Sequence, residues 1–249
     1  MMGLLNRIFG NKEQYESIDF GVFNTDMHSH LLPGIDDGAK NIEESIELIR
    51  EMYSMGYRKI ITTPHVMSDY YRNTPEIIKS KLDIVREELK RQNINITFEA
   101  SAEYNLDDGF EPIISNGQLI PFGNNYILFE LPFMQEPRNL QEIIFKMQTS
   151  GFKPILAHPE RYEFWHRNFE KYEELKSKGV LLQLNLLSLT GYYNPNVKKI
   201  AERLVDSNLI DFVGTDCHRI DHLKVIQSYS NSKYFSILAK CIELKNSSL

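Results

Sequence analysis

Two histidines and two aspartates near the start of the chain have the types and the spacing of metal ligands. His28 and His30 are two residues apart in a segment, residues 22–30, that is predicted to be a strand. Because alternate residues of a strand face the same way, both imidazoles should project together from its end. Asp36 and Asp37 follow in a loop bounded by glycines. In most proteins such a histidine pair binds no metal, so the hypothesis needs matching ligands elsewhere.

Six further imidazoles and carboxylates lie at or just after the ends of other predicted strands. They are His65, Glu103, Glu130, His158, Asp216 and His218. Each alone is more often a satisfied polar residue than a ligand, but their shared position favours one site. These ligand types suit zinc, manganese or iron rather than calcium. They are too many for one ion, and carboxylates can bridge, so the sequence predicts two or three ions.

A cluster of this kind predicts a hydrolase, most naturally of a phosphoester. Two ions roughly 3.5–4 Å apart can generate hydroxide at neutral pH and hold both oxygens of an in-line displacement. Arg161, three residues after His158, is placed to neutralise charge on the phosphoryl oxygens. The alternative for Arg161 is a surface ion pair with Glu160 or Glu163.

A cysteine-based mechanism is excluded by spacing. Such phosphatases need an arginine six residues after the nucleophile, whereas Cys217 and Cys241 are followed at that distance by Leu223 and Ser247. Cys217 is therefore predicted to pack into the wall of the fold. The glycine-rich loops that bind nucleotide phosphates are absent from the sequence, so a nucleotide cofactor is not indicated.

The candidate ligands are carried by about seven predicted strands that alternate with helices. The strongest predicted helices cover residues 41–55, with Asn41 as cap and Gly56 as end, and residues 74–91, which open at Thr74. Regular alternation predicts an α/β fold with a parallel sheet. Seven units within 249 residues predict a closed or nearly closed barrel, whose active site lies at the C-terminal ends of its strands.

Composition narrows the class of protein. Lys plus Arg is 28 and Asp plus Glu is 34, and a net charge of −6 argues against a nucleic-acid partner. Two cysteines imply no disulfide framework and fit a reducing, cytoplasmic location. Stable membrane insertion is not predicted, because the apolar run near the start is short. Residues 1–20 are predicted to be an N-terminal extension that could dock as a helix, and residues 21–249 a single domain.

Taken together, the motifs resemble the PHP superfamily of metal-dependent phosphatases. They resemble most closely its bacterial capsule-locus protein-tyrosine phosphatases, over roughly residues 22–230. The segments that carry the resemblance are residues 26–30, 36–40, 43–45, 157–162 and 216–218. The resemblance implies a distorted, TIM-like seven-stranded β/α barrel with three divalent metals. Manganese is the first expectation, with iron, zinc or magnesium as alternatives.

The same resemblance implies a ligand set for each metal. The sets are His28, His30, Glu103 and Asp216 for the first, Glu103, Glu130 and His158 for the second, and Asp37, His65 and His218 for the third. It also implies that Arg161 contacts the substrate phosphate. The second phosphate-binding arginine of the family has no exact match, because Leu223 stands near its place, and Arg219 and Lys224 are the candidate substitutes. Tyr70 and Tyr71 are candidates for one wall of the site.

The activity implied is attack of a metal-activated hydroxide on phosphotyrosine without a phosphoenzyme. The expected partner is the tyrosine-rich tail of a bacterial tyrosine kinase that controls capsular or exopolysaccharide synthesis. Three alternatives stay open on the sequence: a PHP phosphatase of a small molecule such as histidinol phosphate, an eight-stranded amidohydrolase, and a binding module with structural metals. A histidinol phosphatase would want a deep pocket, and a tyrosine phosphatase an open one. The number of subunits is also open, a homo-oligomer included.

Overall fold

The fold is built from short parallel strands with helices between them. The computed structural model describes residues 15–249. Most of the predicted extension, residues 1–20, therefore lies outside the described residues. The nine strands of the described part are Thr25–Asp26 (β1), Lys59–Thr62 (β2), His65–Val66 (β3), Thr97–Ala100 (β4), Glu103–Asn105 (β5), Tyr126–Glu130 (β6), Lys153–Ala157 (β7), Leu181–Asn185 (β8) and Phe212–Gly214 (β9).

These strands form two sheets in which every pairing is parallel. The first sheet has the order β1-β2-β4, and the second the order β3-β5-β6-β7-β8-β9. The predicted α/β class with parallel strands is thus confirmed. Residues 15–249 form nine strands where about seven were expected, because two predicted strands are each interrupted once.

The interruptions are short, and backbone hydrogen bonds continue the parallel pairing of the strands across them. Pro64 separates β2 from β3, and proline has no N–H to donate to a ladder. Its carbonyl still accepts from the Glu103 amide at 3.0 Å. At the other end of the order, Ser29 and Cys217 form an isolated parallel bridge, and the His30 amide donates to the Cys217 carbonyl at 2.9 Å. The segment after β1 therefore pairs with the segment after β9.

Eight α-helices cover the sheets. They are Ile42–Ser54 (α1), Pro75–Arg91 (α2), Phe110–Ser115 (α3), Leu140–Thr149 (α4), Glu170–Ser177 (α5), Pro195–Asp206 (α6), Ile220–Ser228 (α7) and Lys233–Ala239 (α8) within residues 15–249. The predicted caps are confirmed, since Asn41 accepts from the Glu44 amide at 2.9 Å and Thr74 from the Ile77 amide at 3.4 Å. From Tyr15 onward, every helix is too short or too polar to span a bilayer.

The predicted bounds of the first strand and of the last helix are wrong. The segment 22–30 contributes only the two-residue strand β1, and it is preceded by a 3₁₀ turn at Phe20–Val22. The last predicted helix, residues 234–244, ends earlier, at Ala239, and helix α7 before it was not predicted. Helix α7 buries Leu223 and Ile226, a face of few residues that gave too weak a periodic signal.

The loop after β7 is fixed to the end of β8 by a buried carboxylate. Glu160 Oε1 accepts hydrogen bonds from the Asn185 amide at 3.0 Å and from Ser188 Oγ at 2.7 Å. Its other oxygen, Oε2, is buried and has no hydrogen-bond partner within residues 15–249. Burial raises the pKa of Glu160 to about 7, against the lowering effect of its hydrogen bonds. Because Arg161 is the next residue, this carboxylate helps to fix its position.

We expect Glu160→Gln to raise the free energy of unfolding at pH 8 by about 1–3 kcal/mol. A folded pKa above the unfolded value means that the folded wild type binds the proton more tightly. The contribution of Glu160 to wild-type stability should therefore fall as pH rises from about 4.3 towards 7, whereas the amide cannot ionise and keeps an acceptor oxygen. Urea unfolding of the metal-chelated protein at pH 5 and pH 8 measures the difference.

The exposed Glu163 provides the matched control, and Glu163→Gln should leave the pH response of wild type unchanged. An identical pH response for wild type and Glu160→Gln would contradict the assignment of a raised pKa to Glu160.

Candidate metal centre

The predicted ligands converge on one cavity at the C-terminal ends of the strands. The cavity has a volume of about 420 Å³. Its lining includes Asp37, His65, Glu103, Glu130, His158, Asp216 and His218, together with Arg161 and Arg219. His28 and His30 are fully buried and make contact with Glu103 and Asp216 of that lining. Residues that are far apart in the chain are thus side by side in the fold.

Hydrogen bonds at Nδ1 orient the two histidines of the first strand. His28 Nδ1 lies 2.8 Å from Gln183 Oε1, and His30 Nδ1 lies 2.8 Å from Asp36 Oδ2. Both partners are acceptors, so each Nδ1 must donate, and in the neutral ring Nε2 then carries a lone pair. Asp36 therefore orients a neighbouring imidazole, and in their neutral forms His28 and His30 can each bind a cation through Nε2.

Those two Nε2 atoms meet two carboxylates. Glu103 Oε2 is 3.3 Å from His28 Nε2 and 3.4 Å from His30 Nε2. Asp216 Oδ1 is 3.5 Å and 3.4 Å from the same two atoms. The four residues predicted for the first metal are therefore close enough together to bind one ion.

Two more groups of donor atoms adjoin the first. His158 Nε2 is 2.9 Å from Glu103 Oε1 and 3.8 Å from Glu130 Oε2, as expected for the second set. His65 Nδ1 also approaches this group, at 3.1 Å from Glu103 and 3.2 Å from Glu130. Glu103 is common to these contacts and to the first group, so its two oxygens can serve neighbouring ions.

The third group lies nearer the surface. Asp37 Oδ1 is 3.5 Å from His65 Nε2 and 3.4 Å from His218 Nε2. Donor atoms of Asp37, His65, His218 and His30 all lie within 4.8 Å of one another. His218 Nδ1 donates to the Asp216 carbonyl at 2.9 Å, which leaves Nε2 as the acceptor that faces Asp37. Each of the three predicted sets is thus brought together in space.

The chemistry of the cluster fits divalent cations. Glu103 Oε2, His65 Nδ1 and His158 Nδ1 are buried without a hydrogen-bond partner among the described residues. Buried polar atoms normally have partners, and a cation would provide one for Glu103. The donors are imidazole nitrogens and carboxylate oxygens, which suit zinc, manganese and iron.

The electrostatics of the cluster also call for positive charge. Burial disfavours a charged His28, but Glu103 and Asp216 outweigh it and raise the pKa of His28 to about 9. Burial likewise disfavours a charged Asp216, yet the neighbouring imidazoles, His28 first, hold its pKa well below the usual value. Protons on the imidazoles therefore compete with cations for the same carboxylates.

Arg161 lies beside the cluster with its guanidinium held on three sides. Nη1 donates to Asp216 Oδ2 at 3.0 Å. The guanidinium carbon lies 4.8 Å from the ring centre of Phe133 and 4.4 Å from that of Tyr193. Asn185 Nδ2 donates both to the Tyr193 hydroxyl, at 2.9 Å, and to Asp216 Oδ2, at 2.8 Å. The alternative of a surface ion pair is wrong, because Arg161 pairs with the buried carboxylate of Asp216.

The candidate substitutes for a second arginine separate in the structure. Arg219 is exposed at the rim of the cavity, where Nη2 donates to the Tyr192 hydroxyl at 2.6 Å. Lys224 is exposed on α7 and is not part of the cavity lining. Leu223 is fully buried, so it cannot contact a ligand in the cavity. Only Arg219 of the two candidates is positioned at the site.

The tyrosines proposed as a wall also separate. Tyr71 lines the cavity and stacks on His65 with ring centres 5.7 Å apart, whereas Tyr70 is 81% exposed and is not part of the lining. Cys217 is fully buried between its two neighbours, as predicted, and burial raises the pKa of its thiol.

Several residues that support the site were missed on the sequence. Gln183 and Asn185 alternate along β8 as His28 and His30 do, and that spacing could have indicated them. Phe133 and Tyr193 lie outside helices and strands, and no periodic pattern marks them. Only the packing around Arg161 shows their role.

The sequence and the fold of this chain are similar to those of known proteins. A family model described as "Capsular polysaccharide synthesis, CpsB/CapC" matches residues 24–248. The tyrosine-protein phosphatase YwqE of Bacillus subtilis (strain 168) is 33% identical over 196 residues, covering 78% of this chain and 77% of that protein. A crystal structure from work on YwqE and on CpsB of Streptococcus pneumoniae, described as unique metal-dependent tyrosine phosphatases, aligns with a TM-score of 0.77. Its identity is 30%, with 89% of each chain covered.

A more distant likeness concerns the fold alone. The histidinol phosphate phosphatase of Lactococcus lactis, crystallised with zinc, L-histidinol and phosphate, aligns with a TM-score of 0.55 and 16% identity. The alignment covers 89% of this chain and 94% of that one. Because the family model spans nearly all of the described residues, the chain belongs to the CpsB/CapC family of capsular polysaccharide synthesis proteins.

Proposed function

We propose that this protein is a metal-dependent protein-tyrosine phosphatase. The observation that carries the proposal is the buried cluster of imidazoles and carboxylates with Arg161 beside it in one open cavity. Relatives named tyrosine-protein phosphatases, which match over more than three quarters of the chain, support the same activity.

We also infer that the strands close into a distorted, seven-stranded β/α barrel. β2 with β3, and β4 with β5, each act as one interrupted strand, so nine segments count as seven. The bridge between Ser29 and Cys217 supports closure between the first and last strands. Residues 21–249 would then be one domain, with residues 1–20 as an extension before it.

The cluster would hold up to three divalent ions. Manganese is the first candidate, and iron, zinc and magnesium are the alternatives. The residues are His28, His30, Glu103 and Asp216 for the first site, Glu103, Glu130 and His158 for the second, and Asp37, His65 and His218 for the third. Bound ions of this kind supply an activated water nucleophile and neutralise phosphoryl charge.

The protein's own groups bind and orient the substrate. Arg161 is free to donate to phosphoryl oxygens with the nitrogens that Asp216 does not use. The rings of Phe133 and Tyr193 limit the rotation of its guanidinium, so the donors stay aimed at the cavity. A phenol leaving group has a pKa of about 10, so it departs with less acid assistance than an alcohol would need.

The rim of the cavity suits a substrate that belongs to a protein. Tyr192 at the rim is 39% exposed, and Arg219 beside it is exposed as well. An open mouth admits a phosphotyrosine on a polypeptide. We propose the tyrosine-rich tail of a bacterial tyrosine kinase of capsular or exopolysaccharide synthesis, reached in the cytoplasm, as the substrate.

The proposal is tested by comparing substrates. We expect the manganese-loaded protein to hydrolyse a phosphotyrosine peptide with a kcat/KM at least about tenfold above that for histidinol phosphate. His158→Ala should lower the peptide activity at least about 100-fold while the circular dichroism spectrum stays that of wild type. His166→Ala is the matched control, because His166 is not part of the cavity lining. A preference for histidinol phosphate would refute the proposal.

Metal binding should depend on pH. Because the carboxylates raise the pKa of His28 to about 9, the metal must displace a proton at neutral pH. Below that pKa, affinity for manganese should rise with pH, by up to about tenfold per unit for each proton released. Calorimetric titration of chelator-treated protein between pH 6 and 8 measures both the affinity and the protons. A pH-independent affinity would contradict the assignment of His28 as a ligand.

Arg161→Ala should lower kcat/KM for p-nitrophenyl phosphate about 100-fold without loss of metal. The substitution removes a donor to the phosphoryl oxygens but none of the donor atoms of the cluster. Steady-state kinetics and elemental analysis measure the two effects separately, and Arg167→Ala at an exposed position is the control. Loss of metal in Arg161→Ala would instead make Arg161 a structural partner of Asp216.

A further inference from the structure

We propose that a second pocket, beside the catalytic cavity, binds an apolar side chain of the substrate next to its phosphotyrosine. We name it the flank pocket. Its apolar residues include Val66, Met67, Ile78, Tyr104, Ile113 and Ile120. The inference rests on the proposed phosphatase function and adds to it a sequence preference in the substrate.

The flank pocket lies directly behind one wall of the catalytic cavity. His65 and Glu103 line the cavity, while Val66 and Tyr104, the next residue on each strand, line the flank pocket. Successive side chains of a strand face opposite sides, so the paired strands β3 and β5 form the dividing wall. Met67, just beyond the end of β3, borders both spaces, so the flank pocket adjoins the cavity at the strand end.

The flank pocket combines apolar walls with polar groups, and it is large enough for one side chain. Its volume is about 230 Å³, equivalent to several water molecules of about 30 Å³ each. Ile78 and Tyr104 are each only 2% exposed, and Ile113 and Ile120 are half-buried. A space with such walls gains free energy when an apolar group displaces water from it.

A set of hydrogen bonds ties together the residues at the mouth of the flank pocket. Asp107 accepts from the Ser68 amide at 2.7 Å, from Ser68 Oγ at 2.6 Å and from the Gly109 amide at 2.9 Å. Arg72 Nε donates to the Ser68 carbonyl at 2.6 Å. A Cβ atom on Gly109 would lie 2.2 Å from Ser68 Oγ, so a larger residue there would displace the Ser68 hydroxyl from its position beside Asp107. A mouth fixed in advance loses little conformational entropy when a ligand enters.

Because the flank pocket adjoins the cavity, we infer that its occupant is part of the phosphatase substrate. Asn105 lines the flank pocket, and its Nδ2 donates to Glu130 Oε1 of the metal cluster at 3.4 Å. A ligand that spans both spaces must carry a phosphate at one point and an apolar group nearby. A phosphotyrosine peptide meets that requirement, because side chains within a few residues project from one extended backbone.

Peptides that differ only in the placement of one leucine test the proposal. Each has a phosphotyrosine flanked by alanines, with leucine at one of three positions on either side. We expect wild type to prefer one register by about tenfold in kcat/KM. Ile113→Asn and Ile120→Asn should each lose that preference while hydrolysis of p-nitrophenyl phosphate is retained.

The matched control is Ile237→Asn on α8, at a position that is 37% exposed and outside the flank pocket. It should keep the wild-type preference. Equal hydrolysis of all the peptides by wild type would contradict the proposal that the flank pocket binds a substrate side chain. That result is expected if the pocket binds some other ligand. The proposal would also be contradicted if both variants lost kcat/KM equally on the peptides and on p-nitrophenyl phosphate. Absence of hydrolysis of every phosphotyrosine substrate would refute the proposed function itself.

Discussion

The site depends on the burial of one carboxylate, that of Glu103. Four imidazoles lie 2.9 to 3.4 Å from its oxygens, those of His28, His30, His65 and His158. A buried carboxylate without compensating charge is very costly, and Glu103 is fully buried. The histidines around it, together with any cation they share, supply that compensation. The imidazoles lower its pKa well below the usual value, although burial acts in the opposite direction.

Around Glu103, the neighbouring residues mainly orient the imidazole rings by hydrogen bonds. Gln183, Asp36 and the carbonyl of Asp216 each accept a hydrogen bond from the Nδ1 of one histidine. A histidine that donates at Nδ1 presents Nε2 to the cavity, so its tautomer and direction are decided together. Asn185 extends the same principle to Asp216 and Tyr193, and through them to Arg161. Arg161 and the donor atoms of the cluster are thus linked through Asp216.

The two sides of the dividing wall present different chemistry to the two spaces. His65 and Glu103 face the catalytic cavity, whereas Val66 and Tyr104 face the flank pocket. The alternation of side chains along a strand is enough to create two chemistries from adjacent residues. A phosphatase of this kind would bind the phosphate on one face of the wall and an apolar side chain of the substrate on the other.

The sequence by itself determined the ligand types, the helix caps and the parallel α/β class. These features follow from local rules: imidazole and carboxylate chemistry, capping by Asn41 and Thr74, and regular alternation of strands with helices. Even the grouping of ligands could be predicted, because strand ends in a parallel sheet lie on one side.

Only the tertiary structure decided how Arg161 is held, which neighbour pairs with it, and that Lys224 lies away from the cavity. It also showed the interruption of two strands and the presence of helix α7. These properties depend on contacts between residues far apart in the chain, such as Phe133 with Arg161. Local periodicity carries no information about such contacts, because they are selected by packing of the whole domain.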